Sequence, residues 1–120
     1  MNSQEQAIGF TQGAAFSNGY VARDTLYIAG QQGAGTDIRQ QTTNAIAAIR
    51  QVAEEAGFRM SDITSVTVYM TDLNDVPTMN EVYKKLLPDP KPARAAVQVA
   101  GLIGGAKIEI AAIAVKRQAM

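Results

Sequence analysis

PARAAVQV (residues 92–99) and KIEIAAIAV (residues 107–115) decide the fold, because both are apolar runs of strand length separated by a short loop. Each run carries a charge where a buried strand should have none, Arg94 in the first and Glu109 in the second. Successive residues of a strand face opposite sides of a sheet. This alternation predicts that both charges point away from the more apolar face of their strand.

Arg94 has small neighbours, Ala93, Ala95 and Ala96, which leave open space around a long guanidinium. The planar fork of an arginine matches both oxygens of a carboxylate, so Arg94 is suited to bind one. Glu109 could orient or deprotonate a water molecule. From spacing alone two other interpretations stay open: the two charges form a structural ion pair, or Arg94 caps a sheet edge.

Composition narrows the chemistry that is available. The 120 residues predict one domain spanning 1–120, with 47% hydrophobic and 18% charged residues, as in ordinary globular proteins. Eleven basic and eleven acidic residues cancel, and no basic stripe is present, so a nucleic-acid partner is not expected. The absence of histidine and cysteine excludes a Ser-His-Asp triad, disulfides, a thiol nucleophile and the usual zinc sites. We therefore expect neither metal nor cofactor.

The location of the protein is predicted from two further absences in the sequence. The opening MNSQE lacks the positive segment and apolar run of a secretory leader. No apolar run approaches the roughly 20 residues that span a bilayer. A cytoplasmic protein without a membrane partner is the expectation.

Apolar periodicity predicts the element order β-β-α-β-α-β-β. The elements are a hairpin within residues 14–29 turning at 22–24, a helix capped by Thr36 or Asp37 and ended by Gly57, a strand over 63–70, a helix from Pro77 to before Pro88, and the two strands quoted above. Two helices can cover only one face of such a sheet. The other face, predicted to hold Arg94, Ala96, Glu109, Ala111 and Ile113, is too apolar for water, so we expect a homo-oligomer with a pocket between subunits.

Several ordered motifs carry a family likeness. They are FSNG (16–19), LYIAGQ (26–31), DLND (72–75), Asn80 with Tyr83, PARAAV (92–97) and IEI (108–110). The chain resembles the RidA family of enamine/imine deaminases, also called YjgF and historically L-PSP endoribonuclease. The resemblance implies a chorismate-mutase-like α+β fold, with two helices on one face of a mixed sheet. It also implies a homotrimer with ligand sites in the clefts between subunits.

The resemblance also implies roles for single residues. Arg94 would hold the substrate carboxylate, and Glu109 would position the attacking water. The remaining residues implied to line the site are Phe16, Ser17, Ala29, Gly30, Asn80 and Ala96. The chain departs from the family pattern at Phe16, where a tyrosine is common, at Ala96, where Ser, Cys or Thr is usual, and at Ala111, where the family has a second glutamate.

The resulting functional hypothesis is hydrolysis of reactive 2-imino or 2-enamino acids to 2-keto acids and ammonia. In the family such imines arise when pyridoxal-phosphate enzymes eliminate from serine or threonine. One alternative is a pathway-specific deaminase for a larger enamine, since smaller side chains suit a bulkier substrate. Another is a non-catalytic trimer that binds a carboxylated metabolite in a regulatory role. Nuclease activity ranks below these because the net charge is zero.

Overall fold

The computed structural model describes residues 4–117 as a six-stranded mixed sheet with two α-helices on one face. The elements are β1 (Glu5–Ile8), β2 (Gly19–Ala22), β3 (Thr25–Gln31), α1 (Ile38–Glu55), β4 (Ile63–Met70), α2 (Val76–Leu86), β5 (Ala93–Gln98) and β6 (Ile108–Val115). The strand order is β1-β2-β3-β6-β4-β5, antiparallel except for the parallel pair β4–β5. The predicted α+β architecture is confirmed, and β1 is a strand that the sequence analysis missed.

Two predictions concern the passage of the chain through membranes. Within residues 4–117 no helix is long and apolar enough to cross a bilayer. The other prediction is that the opening MNSQE is not part of a secretory leader. Its first three residues, 1–3, lie outside the described residues.

The predicted hairpin is β2 followed by β3. Ala22 pairs with Thr25, so two residues, Arg23 and Asp24, form the turn. Arg23 adopts a left-handed backbone conformation with φ of 59°, the conformation that tight two-residue hairpin turns require. A turn without glycine is therefore accommodated by one strained arginine.

Helix α1 has the predicted ends. The Asp37 side chain accepts a hydrogen bond of 2.8 Å from the Gln40 backbone N–H, which satisfies one free donor of the first turn. After the helix, Gly57 has φ of 80°, a conformation that favours glycine and stops the helix. The buried stripe of α1 comprises Ile38, Gln41, Thr42, Ala45, Ile46, Ile49, Val52 and Ala53.

Helix α2 begins at Val76 with Pro77 in its first turn, where a missing N–H costs nothing. Its buried side chains are Met79, Val82 and Tyr83, and they pack with α1 on the core face of the sheet. The chain then passes through Pro88 and enters β5 parallel to β4. Parallel neighbours require such a crossover, and α2 supplies it.

The predicted facing of β5 is wrong. In the parallel register, Arg94 lies beside Val66 and Ala96 beside Val68, and both valines are buried under the helices. Arg94 and Ala96 therefore face the helices, while Val97 is exposed on the opposite face. Alternation correctly assigned the residues of β5 to two faces. The more apolar of these faces, which carries Val97, is the one that the helices do not cover.

The face without helices, which we call the open face, carries Tyr20, Tyr27, Val97 and Ile113, each more than one third exposed. For β6 the predicted facing is confirmed: Glu109, Ala111 and Ile113 alternate with buried Ile108, Ile110 and Ala112. Apolar surface of this kind favours association. Self-association stays a prediction.

Two buried side-chain oxygens in the described part of the chain lack a hydrogen-bond partner, Thr42 Oγ1 and the Tyr83 hydroxyl, and the second lies beside Arg94. Tyr83 is buried, and its hydroxyl makes no hydrogen bond to any residue in the described part of the chain. Burial raises the pKa of Tyr83 above its usual value, and the nearby positive charge of Arg94 opposes this shift. The unfolded chain therefore loses the phenol proton more readily than the folded chain. Stability from this residue is present below about pH 10 and is lost as pH rises through the folded pKa.

We expect Tyr83→Phe to leave the free energy of unfolding at pH 7 unchanged or raised by about 1 kcal/mol, because the removed hydroxyl has no partner. The decline of stability above about pH 10 should become shallower, since one titrating group is gone. Denaturant unfolding measured between neutral and strongly alkaline pH tests both statements.

A loss of about 2 kcal/mol or more at pH 7 in Tyr83→Phe would show that the hydroxyl is hydrogen-bonded, contrary to this account.

Candidate active site

Arg94 is held by one turn of α2. Its Nη1 donates to Asn80 Oδ1 at 2.7 Å and lies 3.8 Å from the sulfur of Met79. The guanidinium carbon is 4.8 Å from the ring centroid of Tyr83, a cation–π contact. An amide oxygen, a thioether and an aromatic face thus fix the cation without neutralising it.

The charge of Arg94 has no carboxylate partner in the part of the chain that the structure describes. The ion pairs there are Arg39 with Glu81 and Lys91 with Asp89. Arg94 is also exposed, so its remaining N–H donors are open to a ligand. Ala96, two residues further on the same face, has no polar side-chain atom to compete with that ligand.

The ion pair of Arg39 with Glu81 lies on the outer surface of the helices. The Arg39 side chain donates a hydrogen bond to the Glu81 carboxylate and, with its charge, lowers the pKa of Glu81 below the ordinary value. Both side chains are more than half exposed, so this pair contributes little to stability.

Glu109 lies on the open face, opposite Tyr69 of the neighbouring strand β4. Its Oε1 accepts a hydrogen bond of 2.9 Å from Gln32 Nε2. Its Oε2 packs against Gly30, where a Cβ atom would collide with the carboxylate. A side chain at position 30 would therefore displace the Glu109 carboxylate from this position.

The backbone beside Glu109 is irregular. The β3–β6 register shifts between Ile28 and Gln31, so Ala29 and Gly30 depart from regular pairing. The Ala29 N–H donates to Asn18 O at 2.9 Å, which brings the segment before β2 to this end of β3. Bulges of this kind commonly re-aim groups next to binding sites.

Phe16 and Ser17 belong to the segment that Asn18 anchors. The Phe16 ring is 65% exposed, and Ser17 is half-buried. The structure thus places Ala29 and Gly30 at the end of β3 where Glu109 lies, and Phe16 and Ser17 in the segment that the Ala29–Asn18 bond joins to it. It groups Arg94, Asn80 and Ala96 separately, at the α2 side of β5.

Two glutamines that the sequence analysis did not single out hold the loop before β6. Gln41 of α1 is buried, accepts from the Lys107 N–H at 2.8 Å and donates to Gly35 O at 3.0 Å. Gln32 donates to Ile103 O at 3.0 Å. A buried glutamine on a helical stripe was the available signal for Gln41. Gln32 has no comparable sequence pattern.

Arg94 and Glu109 do not meet within one chain. They lie on strands separated by β4 and project from opposite faces of the sheet. Strand spacing and rise place their Cα atoms about 14 Å apart. Within one copy the two side chains therefore form no ion pair, and one small substrate cannot contact both of them.

A concavity separate from both halves of the candidate site lies past the far end of β6. Its volume is about 250 Å³, and it is lined by Gly57, Arg59, Asp62, Lys116 and Arg117. It lies roughly 20 Å along β6 from Glu109, at the rise expected for a strand.

Within residues 4–117 no group of three or more carboxylate side chains is arranged to hold a metal ion.

Comparison with known proteins agrees with these motifs. The family model described as Endoribonuclease L-PSP matches residues 7–116. A RutC family protein of Pyrococcus abyssi is 48% identical over 80 residues, which are 67% of this chain and 63% of that relative. The 2-iminobutanoate/2-iminopropanoate deaminase of Rattus norvegicus is 34% identical over 110 residues, 85% of this chain and 80% of the relative.

A solved structure is similar over the whole fold. The E. coli protein TdcF, crystallised with bound serine, superposes with a TM-score of 0.84 at 31% identity and covers 98% of both chains. The match to the family model covers most of the sequence, and the topology is shared. The chain therefore belongs to the L-PSP endoribonuclease family, also known as the RidA or YjgF family.

Proposed function

We propose that this chain is an enamine/imine deaminase that hydrolyses reactive 2-imino and 2-enamino acids to 2-keto acids and ammonia. Relatives named 2-iminobutanoate/2-iminopropanoate deaminase, 34% identical in rat and cattle, support this activity class. The observation that carries the proposal is Arg94, an exposed cation held by α2 without a carboxylate of its own. Such a cation has the geometry to bind a substrate carboxylate through two parallel hydrogen bonds.

In the proposed reaction Arg94 anchors the carboxylate and Glu109 positions water. The Glu109 carboxylate takes one proton as the water oxygen bonds to the imine carbon and passes that proton to the nitrogen, giving a neutral tetrahedral carbinolamine. The hydroxyl proton then passes through the same carboxylate to the nitrogen as the C–N bond breaks and the C=O bond forms, so ammonia is released. An enamine first becomes the imine by taking a proton at the neighbouring carbon and losing one from nitrogen. Because an imine carbon already accepts water, anchoring and a positioned water supply useful acceleration.

The proposed site lies between copies of the chain. Arg94 and Glu109 project from opposite faces of one sheet, so contact of both with one small acid requires Arg94 of one copy and Glu109 of another. The exposed apolar side chains of the open face, among them Tyr27 and Ile113, favour such an assembly. The family resemblance favours three copies. In this arrangement Phe16, Ser17, Ala29 and Gly30 would line the Glu109 side, and Asn80 and Ala96 the Arg94 side.

We expect Arg94→Ala to lower kcat/KM for 2-iminopropanoate by about 100-fold, because charge-assisted hydrogen bonds to the carboxylate are lost. The kcat/KM of Arg94→Lys should lie between those of Arg94→Ala and the wild type, since lysine keeps the charge without the planar fork. The measurement is ammonia release from 2-iminopropanoate generated in situ from an amino acid.

Activity of Arg94→Ala within twofold of the wild type would contradict the anchoring role. Binding of 2-ketobutyrate, followed by calorimetry, distinguishes the non-catalytic alternative. The assay uses imino acids of graded size. If the wild type binds the keto acid through Arg94 but releases no ammonia from any of them, the protein is a carboxylate-binding protein. Turnover confined to the larger imino acids would indicate a deaminase for a bulkier enamine.

We expect Glu109→Gln to lower kcat by about 100-fold or more, because the amide cannot take the proton of water. Binding of 2-ketobutyrate should stay within about twofold of the wild type, since Arg94 supplies the carboxylate anchor. Steady-state kinetics and calorimetry of the same preparation separate the two effects.

Glu54→Gln is the matched control, because Glu54 is an exposed glutamate of α1 far from either half of the site. It should behave as the wild type. Equal kcat in Glu109→Gln and the wild type would refute the role of Glu109 as the water-positioning acid.

A further inference from the structure

The Glu109 carboxylate is bracketed on both sides by the segment that follows β3. Gln32 Nε2 donates to Glu109 Oε1 at 2.9 Å, and Gly30 packs against Oε2. A glutamate on an open strand position would otherwise sample several rotamers. The two contacts come from residues two apart in sequence, so a single backbone segment fixes both oxygens.

The Gln32 amide makes a second bond that involves the neighbouring loop. It donates to Ile103 O at 3.0 Å, and a primary amide has two N–H groups, so both bonds form together. Ile103 begins a tight turn in which Gly104 and Gly105 have φ near 75°. Gln32 thereby ties the carboxylate to the turn that leads into β6.

We propose that Gln32 is the positioning residue for Glu109. This role rests on the proposed deaminase function. Gln32 occupies Oε1 and leaves Oε2, on the side of the Gly30 backbone, as the atom that accepts the proton of water. A displacement of about 1 Å in a reacting group can cost about 100-fold in rate, so a fixed carboxylate is worth a dedicated donor.

The test uses Gln32→Met, which keeps the length of the side chain and removes both donors. We expect kcat to fall about 10- to 100-fold while KM stays within about twofold, because the carboxylate anchor is untouched. Gln32→His keeps a neutral N–H donor at the same number of bonds from Cα and, assayed above pH 7, should recover part of the lost kcat. Both variants should show similar thermal midpoints.

Gln51→Met is the matched control, since Gln51 donates to Glu55 on the exposed surface of α1. It should leave both constants unchanged. Wild-type kcat in Gln32→Met would overturn the inference. Equal impairment in Gln32→His and Gln32→Met would also overturn it, because the loss would then not follow the donor.

A second readout does not depend on activity. The side-chain amide resonances of Gln32, followed by ¹⁵N–¹H NMR of the intact protein, should move when Glu109 is changed to Ala and stay in place for Glu54→Ala. If the wild type releases no ammonia from any imino acid, the proposed function fails. Moved Gln32 resonances would then still support the contact, and unmoved ones would overturn it.

Discussion

The parallel pairing of β5 with β4 is the constraint on which the rest of the site depends. A parallel neighbour requires a crossover, and α2 is that crossover. The same helix that makes the pairing possible also presents Asn80 and Tyr83 to Arg94. The register beside Val66 turns Arg94 toward α2. A shift of one residue in this register would turn the cation to the open face, away from Asn80 and Tyr83.

The two halves of the candidate site use different physical means to hold a charge. Arg94 is surrounded by groups that stabilise a cation without forming a salt bridge, so its charge remains available to an anion. Glu109 is held by a hydrogen-bond donor and by a close backbone contact at Gly30. Neither half needs histidine, cysteine or a bound metal, which matches the chemistry that the composition leaves available. Hydrolysis of an imine is a reaction that such groups can support.

Much of the fold could be predicted because local signals were strong. The strand over 63–70, the Asp37 cap and Gly57 end of α1, and Pro77 at the start of α2 are all where the pattern places them. The facing of β5 was not predictable, because register with the partner strand β4, and not the more apolar face, decides which face of this edge strand the helices cover. β1 was missed because, of its four residues, only Ile8 is buried.

The site was partly predictable for the same reason. Arg94 and Glu109 stand out as charges in apolar strands, and the motif resemblance implies the roles of Ala29 and Gly30. Gln32 could not be found, since its contact with Glu109 joins residues 77 positions apart. Gln41 stands out only by its place on the apolar stripe of α1, and its contact with Lys107, 66 positions away, has no local signal. Such contacts depend on sheet register, which local periodicity does not determine.

The central claim is that one site takes Arg94 from one copy and Glu109 from another. The direct measurement is complementation: Arg94→Ala and Glu109→Ala chains are unfolded together, refolded at equal ratio and assayed for ammonia release. In a cyclic assembly with random mixing, about a quarter of the sites regain both side chains, so activity should return to about a quarter of the wild-type rate. Mixed assemblies, verified by mass spectrometry, that stay as inactive as the separate variants would contradict the account.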